Sequence, residues 1–319
     1  MPELPEIAVY VEALTERIVG QTLGRAQIAS PFLLRTVDPP VAALEGRQVA
    51  SVHRMGKRIV WSFSGGHYAI FHLMLAGRFR WLSPPQPNKK HPRQVLAAFA
   101  FPGGTLILTE AGTKKRASLH IVAGTEGLRR HDPGGLEVLE ASAEDFAAVL
   151  QRENHTLKRA LTDPHLFSGI GNTYSDEILF RARLSPLAMT VSLTADEIER
   201  LRAATEDVLA GATASLRRAL ADSFPEPQDL AAAKASLSLH GKYGQPCPEC
   251  GAAIQRICYA EHETNYCPGC QTEGRLLADR ALSRLLKKDW PRTLEELEAR
   301  RSTHPNRNAV RTTSDRNTG

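Results

Sequence analysis

The chain has no apolar run long enough to cross a bilayer, which takes about 20 residues, and its opening lacks the basic-then-apolar pattern of a secretory signal. These absences predict a protein that spans no membrane and stays in the cytoplasm, on the nucleoid if the source is bacterial. No segment repeats at a fixed period, which argues against a solenoid. Cysteine is scarce, five in 319 residues, and four of the five fall in two close pairs, Cys247/Cys250 and Cys267/Cys270, with Cys258 between them. In a reducing compartment that pattern reads as metal ligation rather than as disulfides.

What is present sets broader bounds. The length suits about two domains, and a hydrophobic content of 42% is enough to build real cores. Lys and Arg outnumber Asp and Glu by 40 to 35, for a net charge of +5 and a pI near 9.0. Such an excess permits a polyanionic partner without requiring one.

The cysteine spacing is the strongest local signal. Cys247-Pro-Glu-Cys250 is followed, after sixteen intervening residues, by Cys267-Pro-Gly-Cys270. Two such knuckles bring four thiolates around one tetrahedral ion, and the expected cofactor is one structural Zn2+ held by Cys247, Cys250, Cys267 and Cys270. With all four positions filled by Cys, no place is left for a catalytic water. Cys258 lies in an apolar stretch and is expected to pack.

Apolar periodicity divides the rest. Ile7, Val11, Leu14 and Ile18 recur at three and four, predicting an amphipathic helix over residues 4–19 that ends at Gly20. From there to about residue 122 short runs, alternating at 58–63 and 94–101 and continuously apolar over 68–75, predict strands there and at 105–108 and 118–122, a spacing that suits a β-sandwich or a barrel. The period turns helical after the Gly-rich stretch at 131–135, with helices at 142–153, 156–162, 173–183 and 194–221; Thr194 and Glu197 form a capping box for the last. The fold class is therefore α+β and multidomain. The expected units are a sandwich with an N-terminal helix (1–130), a helical domain (135–240), a zinc finger (241–275) and a basic, partly disordered tail (276–319).

The first six residues, Met1-Pro2-Glu3-Leu4-Pro5-Glu6, admit two readings. The prolines can open a helix and the two carboxylates favour its positive end. Alternatively, once Met1 is trimmed, the free secondary amine of Pro2 is a nucleophile that needs no side chain, with Glu3 and then Glu6 close enough to supply or accept a proton. Two further stretches are ambiguous alone. Ser168-Gly-Ile-Gly-Asn172 makes a turn between helices that can approach a phosphate, with Asn172 as an added donor, or can simply form a corner. Arg54-Met-Gly-Lys57-Arg58 is a solvated strand end, or delivers an ammonium to a phosphate or a proton-transfer site.

Taken in order, the opening Pro-Glu-Leu-Pro-Glu, Lys57 before a strand, His72-Leu-Met-Leu-Ala-Gly77, Gly169-Ile-Gly-Asn-Thr-Tyr-Ser-Asp-Glu-Ile-Leu179, Gly244-Gln-Pro-Cys247 and Cys-Pro-Gly-Cys-Gln271 resemble the formamidopyrimidine-DNA glycosylase and endonuclease VIII (Fpg/Nei) family over about residues 1–271. The resemblance implies a sandwich, a helix–two-turns–helix domain and a zinc finger, working as a monomer on damaged double-stranded DNA with the damaged nucleotide flipped out. It implies a bifunctional glycosylase and AP lyase of base-excision repair. In that scheme Pro2 attacks C1′, Glu3 protonates the opening sugar, with Glu6 beside it, and Lys57 contacts phosphate and assists β-elimination. Asn172 and His91 would grip the DNA, Leu75 would act as the apolar wedge, and His262 stands where the family's finger usually carries Arg.

Other features depart from the family. The loop 112–117 is basic and lacks an aromatic residue, and 222–239 lacks the Gly-rich lesion-reading loop. Two alternatives keep the scaffold without the chemistry: a silent binder of damaged or abasic DNA, and a zinc-ribbon adaptor for protein partners.

Overall fold

The computed structural model describes residues 1–84, 94–111, 113–259, 262–277, 291–293, 295, 296 and 299. His91 and nearly all of the tail after 277 lie outside the described residues, as do the side chains of Tyr259 and His262.

The chain opens with α1 (Leu4–Ile18) and continues through β1 (Arg25–Ile28), β2 (Val49–Met55), β3 (Arg58–Phe63), β4 (His67–His72), β5 (Gly77–Leu82), β6 (Val95–Phe101), β7 (Gly104–Glu110) and β8 (Ser118–Ala123). The strands form two four-stranded antiparallel sheets, ordered β1-β6-β7-β5 and β2-β3-β4-β8, which make the sandwich. Trp61 on β3 sits where they meet, its ring 4.6 Å from Phe71 of its own sheet and 5.2 Å from Phe99 of the other. Strand alternation sends Ile59, Trp61 and Phe63 into this core. Val60, on the opposite face, packs with Met55, Ile70 and Val122 next to Leu128 of α2 (Gly124–Arg129). Burial on both faces explains why Val60, out of step with Ile59, Trp61 and Phe63, is apolar as well.

The helical half consists of α3 (Ala143–Gln151), α4 (Leu157–Thr162), α5 (Asn172–Arg181), α6 (Ala195–Leu220) and α7 (Pro227–Ala235), followed by the hairpin of β9 (Gln255–Tyr259) and β10 (His262–Tyr266) and a short α8 (Pro268–Gln271). Thr194 and Glu197 cap α6 reciprocally, as the sequence predicts. Among the described residues no helix is long and apolar enough to cross a membrane.

Two features fix the seam between the halves. In α1, Leu4 belongs to the helical core, whereas Ile7, Tyr10, Leu14 and Ile18 belong to the sandwich core. Across α6, Ile198, Leu201 and Leu209 join the helical core, and Leu216 and Leu220 join the sandwich core. The N-terminus is therefore held where the two cores meet.

Several elements differ from the sequence expectation. β1, β2 and β5 lie outside the runs that predict strands, and the apolar run 68–75 is a strand only as far as His72. It ends in a tight turn in which the Gly77 amide donates to Leu73 O at 2.8 Å and Met74 adopts φ 52°. A Cβ at Gly77 would lie 2.3 Å from Leu73 O, so only glycine closes this turn. The stretch 222–239 contains α7, capped by Asp229 Oδ2, which accepts from the Glu226 amide at 3.0 Å.

Candidate active site

The turn from Gly169 to Asn172 gathers the candidate residues. Leu4 N donates to Gly169 O at 2.9 Å, Lys57 Nζ donates to Ile170 O at 2.8 Å, and Gly171 N donates to Glu3 Oε2 at 2.8 Å. Glu3 also accepts from the amides of Thr173 at 2.9 Å and Tyr174 at 3.1 Å. Its carboxylate, 1% exposed, is thus seated on the first turn of α5, where unpaired amides and the helix dipole both favour negative charge. Gly171 makes the seat possible: a Cβ there would fall 2.5 Å from Glu3 Cδ. Gly169 has φ +83°, and a Cβ on it would strike the Leu4 side chain at 2.8 Å. The two glycines let α1 dock onto the turn.

Pro2 is buried beside Glu3. Glu6, fully buried, accepts from Glu3 N at 2.8 Å and from the Tyr174 hydroxyl at 3.2 Å, and Lys234 Nζ lies 3.7 Å away. Burial pushes its carboxyl above the usual carboxylate range, against the pull of Lys234. Burial likewise lowers the Lys57 ammonium from the ordinary lysine value, with Glu3 opposing and Arg58 adding to the shift. His72, at the end of β4, is lowered to about 4 by burial and by the positive charges of Arg58 and Lys57. Its Nδ1 accepts from Met74 N at 3.2 Å, so near neutral pH the imidazole is uncharged and carries its proton on Nε2.

Asn172 turns its Nδ2 to Glu263 O of β10 at 2.8 Å, linking the turn to the cysteine hairpin. Leu75, at the tip of the β4–β5 turn, is 57% exposed. The loop after β7 is organised by Glu110, whose carboxylate accepts from the amides of Arg116 and Ala117. The backbone of His262 pairs with Tyr259 in the hairpin; its side chain, like the whole of His91, lies outside the described residues.

The four paired cysteines converge, with all Sγ atoms within 4.8 Å of one another. The Cys250–Cys267 and Cys247–Cys270 distances are 3.4 and 3.9 Å. Metal–sulfur bonds of about 2.3 Å in a tetrahedron place sulfurs roughly 3.8 Å apart, so the donor set fits one ion. Cys258 lies on β9, outside this cluster.

Sequence reasoning missed the side chains that hold α5. This helix buries Ser175, Asp176 and Glu177. The Glu177 carboxylate accepts from the amides of Ser238, Leu239 and His240. Asp176 accepts from His240 Nδ1 at 2.7 Å, Asn265 N at 3.0 Å and Lys158 Nζ at 2.5 Å. Lys158, 4% exposed, also donates to Asn172 O at 2.7 Å. The available signal is two adjacent carboxylates directly before the apolar run Ile178-Leu179-Phe180, which on a buried helix demand partners. Lys158→Met leaves Asp176 buried without its cation and is expected to cost about 3–5 kcal/mol. Chemical denaturation checks this; a stability equal to wild type would remove Lys158 from the account.

The arrangement has clear relatives. Residues 1–113 match the family model described as formamidopyrimidine-DNA glycosylase N-terminal domain, and residues 135–220 match that of the formamidopyrimidine-DNA glycosylase H2TH domain. The formamidopyrimidine-DNA glycosylase of Thermus thermophilus is 34% identical over 286 residues, covering 86% of this chain and 100% of the relative. That of Symbiobacterium thermophilum is 32% identical over 298 residues, covering 88% and 93%. Among solved structures, the MutM (Fpg) protein of Thermus thermophilus superposes with a TM-score of 0.70 at 31% identity, covering 85% of this chain and 98% of that one. Lactococcus lactis Fpg (MutM) in complex with Fapy-dG-containing DNA gives 0.73 at 25% identity, covering 85% and 100%. Relatives of this identity are matched over 93–100% of their length, and the chain belongs to the formamidopyrimidine-DNA glycosylase family.

Proposed function

We propose that the chain is a base-excision-repair DNA glycosylase that removes oxidised or ring-opened bases from duplex DNA and then cleaves the abasic site as a lyase. The observation that carries this reading is the convergence on one turn: Glu3 on the amides of Gly171, Thr173 and Tyr174, and Lys57 on the carbonyl of Ile170, next to Pro2. The matched Lactococcus lactis structures, which contain Fapy-dG or abasic-site DNA, support the same substrate class.

The chemistry balances through these groups. With Met1 removed, the Pro2 nitrogen places its lone pair on C1′ of the flipped nucleotide, and the base leaves with the electrons of the glycosidic bond and takes a proton from water. Glu3 takes the N–H proton of the ammonium so formed and relays it to O4′ as the nitrogen lone pair breaks the C1′–O4′ bond and closes the iminium. The iminium acidifies C2′–H, and loss of that proton expels the 3′ phosphate; Lys57, its ammonium weakened by burial, suits this transfer. Asn172 and the finger hold the flanking backbone, Leu75 fills the space left by the flipped nucleotide, and Cys247, Cys250, Cys267 and Cys270 hold one Zn2+ whose part is structural.

Borohydride trapping on abasic-site duplex tests the reading. The processed chain is expected to give a covalent adduct that maps to Pro2 by peptide mass spectrometry. Molecules that retain Met1, in which this nitrogen is an amide, are expected to give none. Tight, salt-sensitive binding without an adduct would leave a silent damage-binding protein instead.

A further inference from the structure

The segment that lacks a Gly-rich loop delivers a cation to the N-terminus. Lys234, on the last turn of α7, donates from Nζ to Met1 O at 2.9 Å and lies 3.7 Å from Glu6 Oε1. The carbonyl carbon of Met1 is bonded to the Pro2 nitrogen, so this ammonium stands next to the atom that the proposed reaction uses as nucleophile. Its position is built in. Leu230 of α7 is 2% exposed in the sandwich core, Pro227 occupies the first turn of the helix, and Lys242 Nζ caps the far end on Ala235 O at 2.9 Å.

The charged and titratable groups facing the N-terminus come from five elements. They are Glu3 at the start of α1 and Glu6 within it, His72 of β4, Arg78 of β5, Tyr174 of α5 and Lys234 of α7. Neither carboxylate is spare, since Glu3 is engaged by the α5 amides and Glu6 by Glu3 N and Tyr174. Removing Met1 takes away the neutral oxygen on which Lys234 rests and leaves the Glu6 carboxylate, 3.7 Å away, as its ion-pair partner.

We propose that Lys234 is a positioning residue for the reaction, its ammonium standing beside the Pro2 amine and keeping that nitrogen in the neutral, attacking form. The inference rests on Pro2 as the nucleophile. A protonated amine has no lone pair to give, and a fixed cation within a few ångströms disfavours adding a second positive charge. The terminal ammonium on Met1 already shows the direction: burial first, and Lys234 next, lower it to about 6, against the opposing pull of Glu3.

The sign follows. Removing the Lys234 charge makes the Pro2 amine easier to protonate, so its titration midpoint rises and the acidic limb of the reaction moves to higher pH. The test uses the full, processed chain labelled with 15N-proline, with the Pro2 amine titrated by NMR and single-turnover trapping on abasic duplex run across pH in parallel. Lys234→Met is expected to raise the midpoint by about one unit. Trapping should then slow about tenfold on the acidic limb, with rates converging at high pH. Lys234→Arg, which keeps the charge, is expected to stay near wild type. If Lys234→Met fails to fold, as a thermal melt would show, Lys234→Gln is read the same way. An unchanged midpoint, or the same rise in Lys234→Arg, overturns the proposal. A wild-type chain that gives no adduct overturns the Pro2 reading itself, while the NMR midpoint still reports on Lys234 alone.

Discussion

Glu3→Gln is expected to slow adduct formation on lesion duplex by about 10²–10⁴-fold, the range for losing a positioned proton-transfer group. The loss comes from two sides. The amide cannot take the proton shed by the Pro2 nitrogen and relay it to the sugar. It also cannot sit where the carboxylate sits, because both Glu3 oxygens accept from backbone amides, those of Gly171 and Tyr174 on one and that of Thr173 on the other. An NH2 group in either place faces a donor with a donor. That mismatch is expected to cost about 1–3 kcal/mol of stability in addition. Single-turnover kinetics and a denaturation curve separate the two effects. A Glu3→Gln chain that is destabilised but reacts at the wild-type rate would make Glu3 a structural cap and nothing more.

Metal removal is expected to have the largest effect on structure. The core of the finger region consists of Phe180, Leu239, Cys247, Ile254 and Cys267, so two of its buried members belong to the four-cysteine cluster. So small a cluster cannot hold the hairpin alone, and a structural Zn2+ contributes on the order of 10 kcal/mol in comparable small units. Chelation should therefore unfold the hairpin and release Asn172 from Glu263 O and Asp176 from Asn265 N. The Glu3 seat, made wholly by α5 amides, should persist. We expect new protease cleavage within 247–270, at least tenfold weaker DNA binding as phosphate contacts are lost, and one zinc per chain by elemental analysis. A chelated chain with wild-type protection against protease would show that the cysteines need no metal.

The parts of this site that were legible in the sequence are those written in short-range patterns. Cysteine spacing marks the four-thiol cluster, the three-and-four recurrence marks α1, and Thr194 with Glu197 marks the start of α6. What stayed hidden depends on distant partners or on turns without their usual residues. Glu3 meets its three amides about 170 positions later in the chain, and no local pattern announces that seat. β5 was lost because the turn before it is made by Leu73, Met74 and Leu75, which read as more strand. Lys234 stayed hidden because 222–239 reads first as a stretch without the family's glycines, whereas its Glu226-Pro227 start and alanine run encode a helix.

The 26-residue α6 also bears on how the protein meets its substrate. At about 1.5 Å per residue it is a rod roughly 39 Å long, fastened by packing to the helical core at one end and to the sandwich core at the other. A strut rooted in both halves resists hinge bending, since any rotation would shear one of its two apolar seams. On the function proposed above, a duplex that spans the two halves meets a frame of fixed width, and the bending falls to the DNA. Sequences that kink easily should then be the ones it inspects fastest.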